Sequence, residues 1–263
     1  SANDSCVALS EKVAGGEDEF VALMNGKAKE LGCNDTLFAN CTGLPRETQY
    51  SCAKDVALMF SNLIKNEEYF NYSKIWLEDF VHPDNRTTSM TNTNKLIRRY
   101  SFCDGGKTGF TNEAGFCLAS TAKKNNLRLV SVVLGAGSSD DRFNSTVNMF
   151  EYGFANYRNK IVLDKEVTLN DEFAVRGGKK DSFQVKPERN CYVLSAAEKT
   201  PEITHKVVDF NVKAPVAANQ VVGEIEVYKD GVLVDTVNVV AAENVEKAGF
   251  GDYFRQNASQ WAI

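Results

Sequence analysis

Histidine, proline and surplus positive charge are scarce in this chain. Its two histidines, His82 and His205, stand far apart, and only five prolines occur in 263 residues. The seven cysteines (Cys6, Cys33, Cys41, Cys52, Cys103, Cys117 and Cys191) are odd in number and form no Cys-x-x-Cys pair. Zinc sites draw Cys and His at short paired spacings, so this distribution argues against a structural metal. Most of the cysteines read as small buried hydrophobes, and Cys33 and Cys41 bracket a short loop that a disulfide could close. Lys and Arg number 30 against 35 Asp and Glu, a net charge of −5. Without a broad basic face, nucleic acid is excluded as the main partner. The longest apolar stretches, such as residues 129–137, are about half of the ~20 residues a bilayer-spanning helix needs. No charged-apolar-small export signal opens the 263 residues.

What is present is ordinary globular usage, with 43% hydrophobic and 25% charged residues, on a length that suits two domains. Residues 1–160 mix helix and strand. Apolar positions recur at helical spacing from Asp4 to Ala14 and from Asp18 to Leu31, and Gly15-Gly16 and Gly32 stand where helices stop. Ser51 is placed to N-cap a third helix carrying Val56, Met59, Phe60 and Leu63 on one face. Residues 82–94 read as loop. Gly115–Ala122 and Leu127–Leu134 predict two strands joined by the polar turn 123–126, and Asp140–Tyr157 predicts a helix. Residues 161–242 are short alternating segments cut by turn signals, Asp230-Gly231 being the clearest, and predict a small all-β domain. Residues 243–263 form a tail whose Phe250, Tyr253, Phe254 and Trp261 fall at near-helical spacing. That tail reads either as a helix packed on its own domain or as an amphipathic foot on a membrane surface.

One run carries chemistry: Asp104-Gly105-Gly106-Lys107-Thr108-Gly109-Phe110-Thr111, at the start of a strand. A strand edge bearing a lysine, a hydroxyl and a residue without a side chain can hold an anionic acyl substrate against exposed backbone. Gly109 permits close approach, Lys107 supplies fixed charge and Thr108 a donor for a carboxylate. Upstream stands Ser1-Ala2-Asn3. Ser-x-Asn ahead of Lys-Thr-Gly is two of the three motifs of the serine penicillin-interacting enzymes.

On these motifs the chain resembles the D-alanyl-D-alanine carboxypeptidases, the low-molecular-mass penicillin-binding proteins. The likeness extends through Leu37-Phe38, Gly43-Leu44, Tyr50-Ser51, Lys54–Leu58, Gly115, Arg142, Gly153-Phe154, Glu243–Glu246 and Gly249-Phe250, essentially the whole sequence. It implies an α/β penicillin-binding (β-lactamase-like) transpeptidase domain of antiparallel sheet and helices, incomplete at its N-terminus, followed by a small all-β domain. It further implies a serine acyl-enzyme that removes the terminal D-Ala of peptidoglycan stem peptides, is inhibited by β-lactam antibiotics, uses no cofactor or metal, and influences cell shape from outside the cytoplasmic membrane or in the cell wall. By motif match Ser1 relays the leaving-group proton, Asn3 holds the substrate amide and Lys107 keeps the proton network poised. Thr108 and Arg142 bind the terminal carboxylate, Gly109 lets the backbone approach, and the Phe110 N–H is one arm of the oxyanion hole. Family members often carry His where this chain has Phe110.

The nucleophile of this family lies in a Ser-x-x-Lys motif ahead of Ser-x-Asn. Two matches occur here, Ser51-Cys52-Ala53-Lys54 and Ser120-Thr121-Ala122-Lys123, about as many as chance supplies. Ser51 reads as a helix cap, and Ser120 lies mid-strand with Lys123 on the opposite face. The expectation is that the nucleophile segment is missing, that a further N-terminal segment or a complementing chain would supply it, and that these 263 residues alone are inactive. A β-lactamase and a non-catalytic peptidoglycan-associated protein of the same fold are the alternatives.

Overall fold

The computed structural model describes residues 1–252, and the chain divides into two compact units, Ser1–Ala155 and Asn156–Ile263. The first opens with α1 (Asn3–Ala14) and α2 (Glu17–Glu30). Gly15 closes α1 in the left-handed conformation, φ 87°, where its N–H donates to the Glu11 carbonyl at 2.9 Å; glycine adopts this cap without the Cβ penalty. α2 carries Glu17, Asp18 and Glu19 in its first turn and Lys27 and Lys29 in its last, each sign at the favourable end of the helix dipole.

The third helix, α3 (Ala53–Leu63), has Cys52 at its N-cap and no side-chain cap, which corrects the expected role of Ser51. The Ser51 hydroxyl pairs with Thr36 Oγ1 at 2.9 Å, and Thr36 donates to the Asp55 carboxylate at 2.8 Å. A loop-to-helix network has claimed the hydroxyl that local sequence would give to the cap. After α4 (Tyr69–Ser73) comes a second correction. Residues 82–94 are not all loop, because β1 (Leu77–Val81) and β2 (Thr87–Thr91) pair antiparallel, with Phe80 opposite Thr88. Both strands are exposed along their whole length, so neither shows the apolar alternation by which a strand is recognised.

Following α5 (Leu96–Arg99), the strands β3 (Cys103–Thr111), β4 (Gly115–Lys124) and β5 (Leu127–Ala136) form an antiparallel sheet in that order, with β3 at an edge. Asn125, at φ 54°, turns β4 into β5. α6 (Ser139–Asn156) lays Phe143 and Val147 against Leu96, Cys103 and Leu118, and Phe150 and Phe154 against Ala122 and Leu127. Each such phenylalanine contributes about 2–3 kcal/mol of transfer free energy. This packing fixes the sheet from α6, while α3 lies against β5 and β4.

The second unit is all β. Its five-stranded antiparallel sheet runs in the order β10 (Ile203–Asp209), β11 (Val221–Lys229), β12 (Val232–Ala241), β8 (Ser182–Pro187), β7 (Glu172–Ala174). β6 (Tyr157–Leu163) pairs separately with β9 (Cys191–Ala196). Asp230 and Gly231, at φ 50° and 80°, make the turn between β11 and β12, the two positive angles that a type I′ hairpin needs. Alternate residues Ile225, Val227, Val237 and Val239 are fully buried with Phe183 and Val185.

The expected tail boundary at residue 243 falls inside this unit. Val245 is buried and bridges to Val216, and the Ala248 N–H donates to the Gly177 carbonyl at 2.8 Å. Phe250 is 90% exposed; Tyr253, Phe254 and Trp261, on which the amphipathic reading rests, lie outside the described residues. Among the described residues no helix is long and apolar enough to cross a membrane.

The cysteine reading also needs correction. All seven are free thiols, so Cys33 and Cys41 are not paired, and only Cys33, Cys103 and Cys191 are buried. Cys33 and Cys41 meet hydrogen-bond acceptors instead of each other: Cys33 Sγ approaches the Asp55 carbonyl at 3.6 Å and Cys41 Sγ the Glu17 carboxylate at 3.2 Å.

Candidate active site

The Lys-Thr-Gly run occupies the middle of edge strand β3. The two glycines before it are dictated by crowding. A Cβ on Gly106, which holds φ 151°, would lie 2.6 Å from Asn94 Nδ2 and 2.7 Å from the Ala119 carbonyl oxygen; one on Gly105 would lie 2.8 Å from the Tyr69 ring. Around this tight bend the backbone is tied by side chains. The fully buried Asn94 donates through Nδ2 to the Gly105 carbonyl at 3.3 Å, and Ser120 donates to the same oxygen at 2.8 Å. Tyr69 accepts the Gly106 N–H at 2.9 Å, and Ser73 donates to the Asp104 carbonyl at 2.7 Å. Arg128 clamps the Asp104 carboxylate with two bonds of 2.8 Å, reaches Thr121 Oγ1 at 3.0 Å and lies 4.4 Å from the Phe70 ring centre.

Beyond the bend, Lys107 is exposed and donates to Ser1 Oγ at 2.7 Å and to the Thr108 carbonyl at 2.6 Å. Sequence positions 1 and 107 thus meet at one point, because α1 begins beside the sheet edge. Desolvation draws the Lys107 ammonium below the ordinary lysine range; the Arg142 charge acts in the same direction and Cys6 opposes it. Asn3, the first residue of α1, is exposed two residues from Ser1.

Thr108 is buried and donates its hydroxyl to Thr93 Oγ1 at 2.8 Å. Since the Gly106 N–H meets Tyr69 and the Thr108 carbonyl meets Lys107, both point away from β4. Alternation along the strand carries the Phe110 N–H to the same free edge. The Phe110 ring is half exposed, 4.4 Å from the Phe116 ring centre. A Cβ on Gly109 would find its nearest neighbour 3.9 Å away, so the edge is open there.

Arg142 comes from α6 and is buried. Its Nη1 donates to the carbonyls of Gly109 at 3.0 Å and Cys117 at 3.3 Å, its Nη2 to Ser139 Oγ at 3.4 Å, and its Nε has no hydrogen-bond partner among the described residues. Burial lowers its pKa and Cys117 opposes the shift. Within this unit, then, Ser1, Asn3, Lys107, Thr108, Gly109, Phe110 and Arg142 distribute over the start of α1, the β3 edge and α6. Sequence reasoning missed Thr93, Asn94 and Tyr69. Their contacts join side chains to groups 11 to 37 residues away in the chain, for which one sequence carries no signal.

The two Ser-x-x-Lys matches sit elsewhere. Ser120 is fully buried with its hydroxyl on the Gly105 carbonyl, and Ser51 is engaged by Thr36. A hollow of about 780 Å³ opens among α2, the 38–51 loop, α3 and the sheet, lined by Met24, Phe38, Tyr50, Val56, Cys117 and Leu134. None of Ser1, Asn3, Lys107 or Thr108 lines it. Among the described residues Asp35, Cys52 and Asp55 place three potential metal-ligand atoms within 4.8 Å of one another. The Asp55 carboxylate already accepts the Asp35 N–H and the Thr36 hydroxyl, both at 2.8 Å, which makes the group a loop anchor.

Residues 1–138 match the D-alanyl-D-alanine carboxypeptidase family model and residues 157–247 the model of the penicillin-binding protein 5 C-terminal domain. The chain is 33% identical over 264 residues to the D-alanyl-D-alanine carboxypeptidase DacF of Bacillus subtilis, covering 99% of this chain and 67% of that protein. To DacC of Escherichia coli it is 30% identical over 269 residues, with 99% and 66% covered. The chain thus spans about two thirds of the length of these curated relatives. Among solved structures, penicillin-binding protein 5 of Haemophilus influenzae superposes with a TM-score of 0.62 at 28% identity, over 93% of this chain and 71% of that one. A peptidoglycan synthesis regulatory factor of Streptococcus pneumoniae shares the fold with a TM-score of 0.76 at 24% identity, over 93% and 74%.

Proposed function

The chain belongs to the D-alanyl-D-alanine carboxypeptidase family, and from that premise we propose that it forms the Lys-Thr-Gly side of an active site that removes the terminal D-Ala of peptidoglycan stem peptides through a serine acyl-enzyme. The observation that carries this reading is the Lys107 ammonium on Ser1 Oγ at 2.7 Å, beside an open strand edge. A serine hydroxyl adds to the carbonyl between the two D-alanines, and the C–N bond breaks. The departing amine takes a proton through Ser1, whose hydroxyl Lys107 orients, and water then hydrolyses the ester. Asn3 holds the substrate amide, Thr108 and Arg142 receive the terminal carboxylate, and Gly109 leaves room for the substrate backbone. The Phe110 N–H stabilises the oxyanion, a donor worth roughly 3 kcal/mol in the transition state.

Ser51 and Ser120 are both engaged away from the Lys107 edge, so this reading takes the nucleophile from polypeptide outside the 263 residues. β-Lactams acylate the same serine, and the substrate places the enzyme outside the cytoplasmic membrane or in the cell wall, where its activity bears on cell shape.

The test is intact-mass measurement, under denaturing conditions, with and without a penicillin. The protein expressed from its complete coding sequence takes up one equivalent and loses that capacity in Lys107→Ala. The 263-residue polypeptide alone takes up none; a covalent adduct on it would overturn the assignment of the nucleophile.

A further inference from the structure

Thr93, the partner of the Thr108 hydroxyl, is held in one place by its surroundings. On one side, the Asn92 N–H donates to the Trp76 carbonyl at 2.8 Å, and its side-chain amide to the Ile75 and Ser73 carbonyls at 3.0 and 3.2 Å. On the other, Asn94 uses Oδ1 to accept the Leu96 N–H at 3.2 Å and Nδ2 to reach the Gly105 carbonyl. Asn92 Oδ1 then accepts the Asn94 N–H at 2.9 Å, spanning Thr93. Three consecutive residues are thus pinned by the two asparagines, while the threonine between them is exposed and contributes nothing to the pinning. Among the described residues its hydroxyl meets one partner, Thr108 Oγ1, at 2.8 Å.

We propose that Thr93 is a positioning residue for the carboxylate end of the substrate, acting through Thr108; this rests on the reading of Thr108 given above. A hydroxyl has one proton and two lone pairs, and a carboxylate only accepts. Two hydroxyls in contact share one proton between their oxygens and leave the other free to be donated outward. Thr108 donates to Thr93, so the outward proton is that of Thr93; rotation of both hydroxyls reverses the order and gives Thr108 the outward proton. In either arrangement the pair delivers one donor polarised by its neighbour. Thr108 alone keeps a free rotor with no defined direction. The immobilised backbone at Asn92–Asn94 makes this preorganisation cheap, since no loop has to be ordered when the substrate arrives.

The experiment uses the enzyme expressed from its complete coding sequence. It measures kcat and KM for release of the last residue from a peptide ending in D-Ala-D-Ala and from the same peptide ending in a carboxamide. Thr93→Val lowers kcat/KM for the carboxylate form by about tenfold, the worth of a hydrogen bond to a charged group, mostly through KM, and leaves the carboxamide form nearly unchanged. Thr93→Ser restores the preference. Thr93→Ala repeats the measurement with a side chain too small to clash. Equal losses on both substrates, or no loss on either, overturn the inference. If Thr108→Val removes the preference for the carboxylate while Thr93→Val does not, only the role of Thr93 falls; if Thr108→Val also leaves it intact, the assignment of Thr108 itself falls.

Discussion

Gly106 and Gly109 lie three residues apart in one strand, and replacing each by alanine should have opposite consequences. In Gly106→Ala the new methyl is met by Asn94 Nδ2 at 2.6 Å, the Ala119 carbonyl oxygen at 2.7 Å and Ser120 Cα at 3.0 Å, at a φ of 151°. Two of these neighbours are backbone of β4, which the sheet holds in register. Overpacking of this kind costs about 1–3 kcal/mol, and an L-residue forced to positive φ costs about 1–2 more. We expect about 3 kcal/mol of destabilisation in the first unit, which at its length lowers Tm by roughly 10 °C. In Gly109→Ala the nearest heavy atom is Cys117 Cβ at 3.9 Å, so stability stays within about 0.5 kcal/mol. The methyl instead stands on the open edge that the substrate backbone would approach, and penicillin acylation of the complete enzyme slows by about tenfold or more. Urea unfolding monitored by hydrogen exchange on peptides from Ser1–Ala155 reads the first unit apart from the second. A Gly106→Ala protein as stable as the parent, or a Gly109→Ala protein that unfolds as readily as Gly106→Ala, would refute the reasoning.

Two further perturbations test the frame around the site. Because Lys107 is drawn below its ordinary value of 10.5, the unfolded chain binds the proton more tightly than the folded one as pH approaches 10.5. Stability contributed at this residue therefore rises with pH through that window. Urea midpoints across neutral to alkaline pH should show this slope in the parent and a weaker one in Lys107→Met. Arg128→Met leaves the largely buried Asp104 carboxylate without its two 2.8 Å bonds and should cost about 3 kcal/mol. Adding Asp104→Leu should return at least half of that in a double-mutant cycle.

The sequence was most informative where one local rule governed. Gly15 as a left-handed helix end, Asp230-Gly231 as a hairpin turn and the 123–126 turn into β5 each follow from what the backbone at those positions requires. The strand carrying Lys107 was legible because its glycines and lysine stand together in the chain. Legibility failed where distant groups compete with local preference. Ser51 has the chemistry of a helix cap, but Thr36 and Asp55, brought up by the 31–52 loop, offer its hydroxyl a different partner. The β1–β2 ribbon eluded the pattern because Thr87–Thr91 never enters a core. The tail from residue 243 was read from the spacing of its aromatics, whereas Val245 is held by a bridge to Val216, 29 residues earlier. Thr93, Asn94 and Tyr69 act across gaps in the chain that periodicity cannot span. Ser1 and Lys107 were assigned to one site through family resemblance and not through residue spacing.

The arrangement of Arg142 bears on how this site can change over generations. Its guanidinium staples the Gly109 carbonyl of β3 to the Cys117 carbonyl of β4, and the same group is the one that would receive a substrate anion. A lineage exploring new substrates could not retune that cation freely, because each trial at residue 142 also loosens the seam between two strands. Thr93, exposed and outside the seam, carries no such double duty. Variation in substrate preference should therefore accumulate around Arg142 while the arginine itself stays put.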